Sequence, residues 1–106
     1  MMKKIEAIVE PSRLNRVKEA LGKLGITGMT VTEVKGSDRQ QGHSEIYRGS
    51  EYTVDFLPKI KVELVLPEED LDDAVTAILK TTTAGKSYRD KVFVSGVDEA
   101  TRVETE

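Results

Sequence analysis

Gly36 to Phe56, GSDRQQGHSEIYRGSEYTVDF, is a polar stretch between two segments that alternate like strands. It has no helical or sustained two-residue apolar period, and glycines interrupt it at Gly36, Gly42 and Gly49. The flanking strands would ordinarily be joined by two to five residues, so a connection of about twenty is an arm with a function of its own or a disordered segment. The fold is therefore read as a small body carrying this arm.

On the far side of the arm, Lys59 to Leu66 places Ile60, Val62, Leu64 and Leu66 in alternation with Lys59, Lys61, Glu63 and Val65, the cleanest strand pattern in the chain. On the near side, Gly28 to Val34 is rich in β-branched residues and predicts a second strand. Upstream, Lys3 to Val9 alternates Ile5, Ala7 and Val9 with Lys4, Glu6 and Ile8 before Pro11 ends the strand. Ser12 is then placed to cap a helix carrying Leu14, Val17, Leu21 and Leu24, with Gly25 closing it. Downstream, acidic residues after Pro67 suit a helix N-terminus, and Leu71, Ala74, Val75, Ile78 and Leu79 keep the helical spacing. Val92 to Val94 predicts a last strand, and a charged tail follows from Gly96.

The order is βαββαβ, an α+β, ferredoxin-like arrangement with both helices on one face of an antiparallel sheet. Ile8, Val65 and Phe93 fall on the opposite face among Glu6, Lys61 and Glu63, a mixture that suits contact between subunits. The 106 residues give one domain. Sixteen basic against nineteen acidic residues leave a net charge of −3, which offers no general attraction for nucleic acid. The chain has no cysteine, and its N-terminus lacks the apolar run of a signal peptide, so a cytoplasmic location is expected.

Catalytic chemistry finds little support. His43 is the only histidine and has no cysteine to join it at a metal, while Ser44, Ser50 and Thr53 lack a neighbouring base. No catalytic residue and no protein-held metal are expected. Lys80, Lys86, Arg89, Lys91 and Arg102 flank the last strand with Gly85 among them, which fits either an anion-binding turn or a solvated rim. Tyr47 and Tyr52 lie in the polar arm, where partner contact or covalent modification accounts for them better than a core does.

Ile26 to Gly36, ITGMTVTEVKG, with Arg39 to His43, RQQGH, and Tyr47 to Lys59, YRGSEYTVDFLPK, resembles the PII signalling proteins, and the resemblance runs from Lys3 to about Arg102. It implies a cytoplasmic homotrimer of ferredoxin-like subunits. In this chain a T-loop would span about residues 37–56, a phosphate-binding B-loop about 82–91 and a C-terminal tail about 97–106. Such proteins bind ATP or ADP, and often 2-oxoglutarate, in clefts between subunits, and dock through the T-loop on a membrane transporter or a cytosolic enzyme. Ile8, Gly28, Met29, Thr30, Gly36, Glu63, Val65, Lys91 and Arg102 fall on nucleotide-contacting positions. Gln40 and Lys59 match the residues that hold 2-oxoglutarate with bound MgATP, the glutamine at the metal and the lysine at a carboxylate. Tyr52 matches a uridylylated tyrosine, Ser50 a phosphorylated serine and Arg48 an arginine that enters a transporter pore.

The B-loop departs from the family pattern Thr-Gly-x-x-Gly-Asp-Gly-Lys. Ala84 to Lys91 reads AGKSYRDK, so Tyr88 and Asp90 replace glycines, Ser37-Asp38 alters the start of the arm, and Glu104 stands for an arginine. Side chains crowd a phosphate path that bare backbone would leave open, and Asp90 adds negative charge there. The expectation is an adenine-nucleotide sensor for ADP, AMP or ATP, with an anion site altered by Lys86 and Arg89 and bicarbonate as a candidate small anion. The alternatives are a conventional nitrogen regulator binding MgATP and 2-oxoglutarate and controlling an ammonium channel, or an acylphosphatase-type enzyme. Ser12-Arg13 and Asn15 imitate the site of such an enzyme poorly.

Overall fold

The computed structural model describes residues 1–36, 44–47, 50–53, 56–81, 91–101 and 103. Strand β1 spans Met2–Val9, helix α1 Leu14–Gly22, β2 Thr30–Gly36, β3 Ser44–Tyr47, β4 Ser50–Thr53, β5 Leu57–Pro67, α2 Leu71–Lys80 and β6 Lys91–Val97. Four strands form one sheet in the order β2-β5-β1-β6, with each adjacent pair antiparallel. Without the small β3-β4 ribbon, the order is the βαββαβ of the ferredoxin-like fold.

β5 is the spine. Residues 60–67 pair with β1 and residues 57–63 with β2, so only its middle has a neighbour on both sides. Pro58 lies before the β1 pairing begins and faces Lys35 of β2 alone, where a missing N–H is tolerated. The alternation read from the sequence resolves into two faces: Ile60, Val62, Leu64 and Leu66 are buried, together with Ile5, Ala7 and Val9 of β1. Val17 and Leu21 of α1 and Ala74 and Ile78 of α2 complete that core, and the two helices also contact each other.

The helix ends depart in part from expectation. Ser12 does not cap α1: Pro11–Arg13 forms a 3-10 turn, no side chain caps either that turn or α1, and the α-helix begins at Leu14. Proline at the first position pre-sets a helical φ and needs no N–H partner, so the turn starts one residue before the serine. Gly25 closes the other end with φ +80°, and the N–H groups of Gly25 and Ile26 donate to the carbonyls of Gly22 at 2.9 Å and Leu21 at 3.0 Å. Leu24 lies beyond the helix and is exposed.

The arm contains regular structure that its sequence pattern did not announce. β3 and β4 pair antiparallel, with Ser44 opposite Thr53, Glu45 opposite Tyr52, Ile46 opposite Glu51 and Tyr47 opposite Ser50. The arm leaves the main sheet where Gly36 faces Leu57. β2 itself starts at Thr30, two residues later than its composition suggested, and runs on through Gly36.

Candidate functional site

Away from the helices, the second sheet face carries most of the described candidate residues. β1 contributes Lys4, Glu6 and Ile8 to it, β5 contributes Lys59, Lys61, Glu63 and Val65, and β6 contributes Lys91 and Phe93. Glu6 stands directly opposite Glu63 on one side and Phe93 on the other. The two carboxylates are neutralised on the diagonals: Lys4 Nζ lies 3.0 Å from Glu63 Oε2, and Lys61 Nζ lies 3.6 Å from Glu6 Oε2. The hydrogen bond from Lys4, followed by its charge, holds the Glu63 carboxyl below its ordinary pKa against partial desolvation. The same bond, then the charges of Glu63 and Glu6, raises the Lys4 ammonium above its own. The face thus combines a fixed charge pattern with exposed Val65 and Phe93.

The candidate ligand residues fall into two groups along the strands. Thr30 opens β2 opposite Glu63, Val65 is two positions further along β5, and Gly28 and Met29 lead into Thr30. Of these, Gly28 and Thr30 are exposed, while Met29 is half-buried against the core. Gly36 closes β2 six residues beyond Thr30, about 20 Å away at strand rise. Lys59 lies near Gly36, opposite Val34, and the Cβ position of Gly36 is 3.4 Å from Lys59 Cγ. Ile8 faces Lys61 in β5 and Lys91 in β6, and Lys61 lies between the two groups, two positions from Glu63 and four from Leu57.

The chain therefore brings Thr30, Glu63 and Val65 together, and separately Gly36 and Lys59, with Ile8 beside Lys91. Gln40, Arg48, Lys86, Arg89 and Arg102 lie outside the described residues, as do most of the B-loop and His43. Ser50 and Tyr52 are placed on β4 by their backbone register. Among the described residues no group of three or more histidine, cysteine, aspartate or glutamate side chains is arranged to hold a metal. No helix in that set is long and apolar enough to cross a membrane.

Two contacts near these groups escaped the sequence reading. Lys59 is 2% exposed, and its Nζ lies 3.0 Å from Glu10 Oε2 on the segment that leaves β1. Arg13 Nη1 donates to the carbonyl of Thr81 at 2.9 Å, tying the turn before α1 to the end of α2, immediately before residues 82–90. Both join residues far apart in sequence, and alternation or helical spacing carries no signal for either.

The model of the family described as "Nitrogen regulatory protein P-II" matches residues 2–106. Nitrogen regulatory protein P-II 1 of Escherichia coli K12 is 54% identical over 104 residues, covering 98% of this chain and 93% of that protein. Nitrogen regulatory protein P-II of Pasteurella multocida is 53% identical and that of Haemophilus influenzae 52%, each with the same coverage of both chains. The two-helix, four-stranded body, the arm between β2 and β5 and a match over nearly the whole length agree: the chain belongs to the PII family of nitrogen-regulatory signalling proteins.

Proposed function

We propose that the protein is a homotrimeric sensor that binds adenine nucleotide between subunits and reports its occupancy through the arm at residues 37–56. The observation that carries this reading is the division of the candidate residues on one sheet face. Thr30 and Glu63 lie about 20 Å along the strands from Gly36, and Val65 two residues further, so a ligand touching both sets needs them from different subunits. Exposed Val65 and Phe93 around the paired charges give that face the mixed character of a subunit interface. In the trimer, Ile8, Gly28, Met29, Thr30, Gly36, Glu63, Val65, Lys91 and Arg102 serve the nucleotide, and Lys86 and Arg89 meet its phosphates or a small anion.

Magnesium, when present, accompanies the nucleotide, and Gln40 is the arm residue suited to reach it. The output is conformational. A ligand that binds one arm conformation more tightly than another shifts the population, and the arm, which carries Arg48, Ser50 and Tyr52, docks on a transporter or enzyme accordingly. Phosphate or nucleotide added to Ser50 or Tyr52 would put negative charge on that docking surface. The role is signalling in the cytoplasm and involves no catalytic residue. Arg13, the arginine an acylphosphatase-type site would need, already donates to the Thr81 carbonyl.

Tyr88 and Asp90 in the B-loop favour ADP or AMP over MgATP and weaken 2-oxoglutarate binding. A conventional regulator that binds MgATP and 2-oxoglutarate and controls an ammonium channel is the second reading, favoured by 54% identity to the E. coli P-II 1 protein. Calorimetric titration with ATP, ADP and AMP, with and without magnesium, 2-oxoglutarate and bicarbonate, separates the two. ADP or AMP binding with weak 2-oxoglutarate binding supports the first, and tight MgATP-dependent 2-oxoglutarate binding supports the second. Absence of any nucleotide binding contradicts both.

A further inference from the structure

Lys59 and Glu10 form an ion pair whose partners are unequally placed. The lysine side chain is 2% exposed and the glutamate side chain 39% exposed, with Nζ and Oε2 3.0 Å apart. A buried ammonium strongly requires a counter-charge, whereas a carboxylate at the surface can turn into water at little cost. Lys59 therefore stays while its carboxylate partner is exchangeable. The pair sits at the root of the arm, where β2 hands over to it at Gly36 and β5 receives it at Leu57, and the Lys59 stem lies against Gly36.

We propose that Glu10 gates Lys59: its carboxylate occupies the position that a small carboxylate anion needs, and such an anion binds at the arm's root only by displacing it. The proposal rests on the reading of the chain as an arm-bearing ligand sensor and adds how its anion site is controlled. With Glu10 in place, only the fraction of molecules whose glutamate has swung away can accept the ligand, so apparent affinity falls by that fraction. Glu10 thereby sets the anion threshold, and its displacement is felt at the point where the arm leaves the sheet.

The test is calorimetric titration of the full chain and of Glu10→Gln at fixed ionic strength in separate arms, with 2-oxoglutarate added over saturating MgATP and bicarbonate and acetate added over saturating ADP. Removing the competing carboxylate is expected to tighten binding of at least one of these anions about tenfold or more, the scale of one charge-assisted hydrogen bond. The anion that gains most identifies the physiological class, dicarboxylate or bicarbonate. No gain for any of them overturns the proposal.

Glu10→Gln removes the carboxylate that lies 3.0 Å from a buried lysine, so thermal melts without nucleotide supply an independent reading. Acetate, compared with chloride at equal ionic strength, is expected to raise the melting temperature of Glu10→Gln more than that of the unmodified chain. Equal shifts overturn the gate. Failure of the unmodified chain to bind ADP would instead contradict the sensor reading, and the acetate comparison does not depend on that result.

Discussion

Glu6 and Glu63 face each other directly across the β1-β5 ladder, and each is held by a lysine from the other strand, Lys4 with Glu63 and Lys61 with Glu6. Like charges directly opposite on adjacent strands repel, so the two diagonal contacts make this register tolerable. The same quartet gives the exposed sheet face a charge pattern that a neighbouring subunit of the proposed trimer would have to match.

Replacing both lysines, Lys4→Gln with Lys61→Gln, leaves the carboxylates opposed and is expected to lower stability, more at low salt than at high salt. Adding Glu6→Gln to that double variant is expected to recover most of the loss. Denaturant unfolding at a fixed protomer concentration checks both, and a third substitution that restores nothing would show that the glutamates do not repel.

The Lys4-Glu63 pair also predicts a pH dependence with a defined sign. Glu63 has a lowered folded pKa, so its contribution is present above the ordinary carboxylate value and is lost as pH falls through the lowered one. Lys4 has a raised folded pKa, so its contribution is present below the ordinary lysine value and is lost as pH rises through the raised one. The stability difference between the unmodified chain and Lys4→Met should be flat between about 4.3 and 10.4, the ordinary carboxylate and lysine values, and shrink beyond either end. Unfolding measured across pH tests this.

Leu21 is fully buried between α1 and the sheet, whereas Leu24, three residues on, is 44% exposed. Leu21→Ala is expected to cost about 2–5 kcal/mol through lost transfer and a residual cavity. Leu24→Ala should stay within about 0.5 kcal/mol, as surface changes do. Chemical denaturation of the two variants reads the contrast directly.

Gly25 closes α1 with φ +80°, and nothing lies within 4 Å of the Cβ that alanine would add. The expected cost of Gly25→Ala is therefore backbone strain alone, about 1–2 kcal/mol. Asparagine, which tolerates this conformation better, should recover part of it in the same unfolding assay.

Arg13 spans from the turn before α1 to the Thr81 carbonyl at the end of α2. Arg13→Ala is expected to destabilise by about 1.5–3 kcal/mol, the range for a hydrogen bond to a charged group. Hydrogen exchange should localise the loosening to the end of α2. Protection there that is unchanged in the variant would contradict the contact's role.

The body of the fold was legible because its signals are local. Alternation from Lys59 to Leu66 identified the buried face of β5 residue by residue, and the helical spacing of Val17 with Leu21 and of Ala74 with Ile78 gave the helices their inner sides. The Glu10-Lys59 and Arg13-Thr81 contacts span 49 and 68 residues, and only the folded chain brings their ends together. The ribbon within the arm was missed because SEIY and SEYT show no apolar alternation: a short antiparallel pair is recognised by its backbone ladder, which composition does not encode. Ser12 looked like a cap because its residue type favours that position, but Pro11 begins the turn first. The arm was legible from its missing period and its length, whereas the candidate ligand positions and the altered B-loop came from the resemblance, since spacing alone could not separate a phosphate-binding turn from a charged rim.

Native mass spectrometry of the chain mixed with ADP tests the central claim most directly. The sensor reading predicts a trimer that takes up ADP to one molecule per subunit, with little uptake by any dissociated monomer. A monomer as the main species, or a trimer that acquires no ADP, would contradict it.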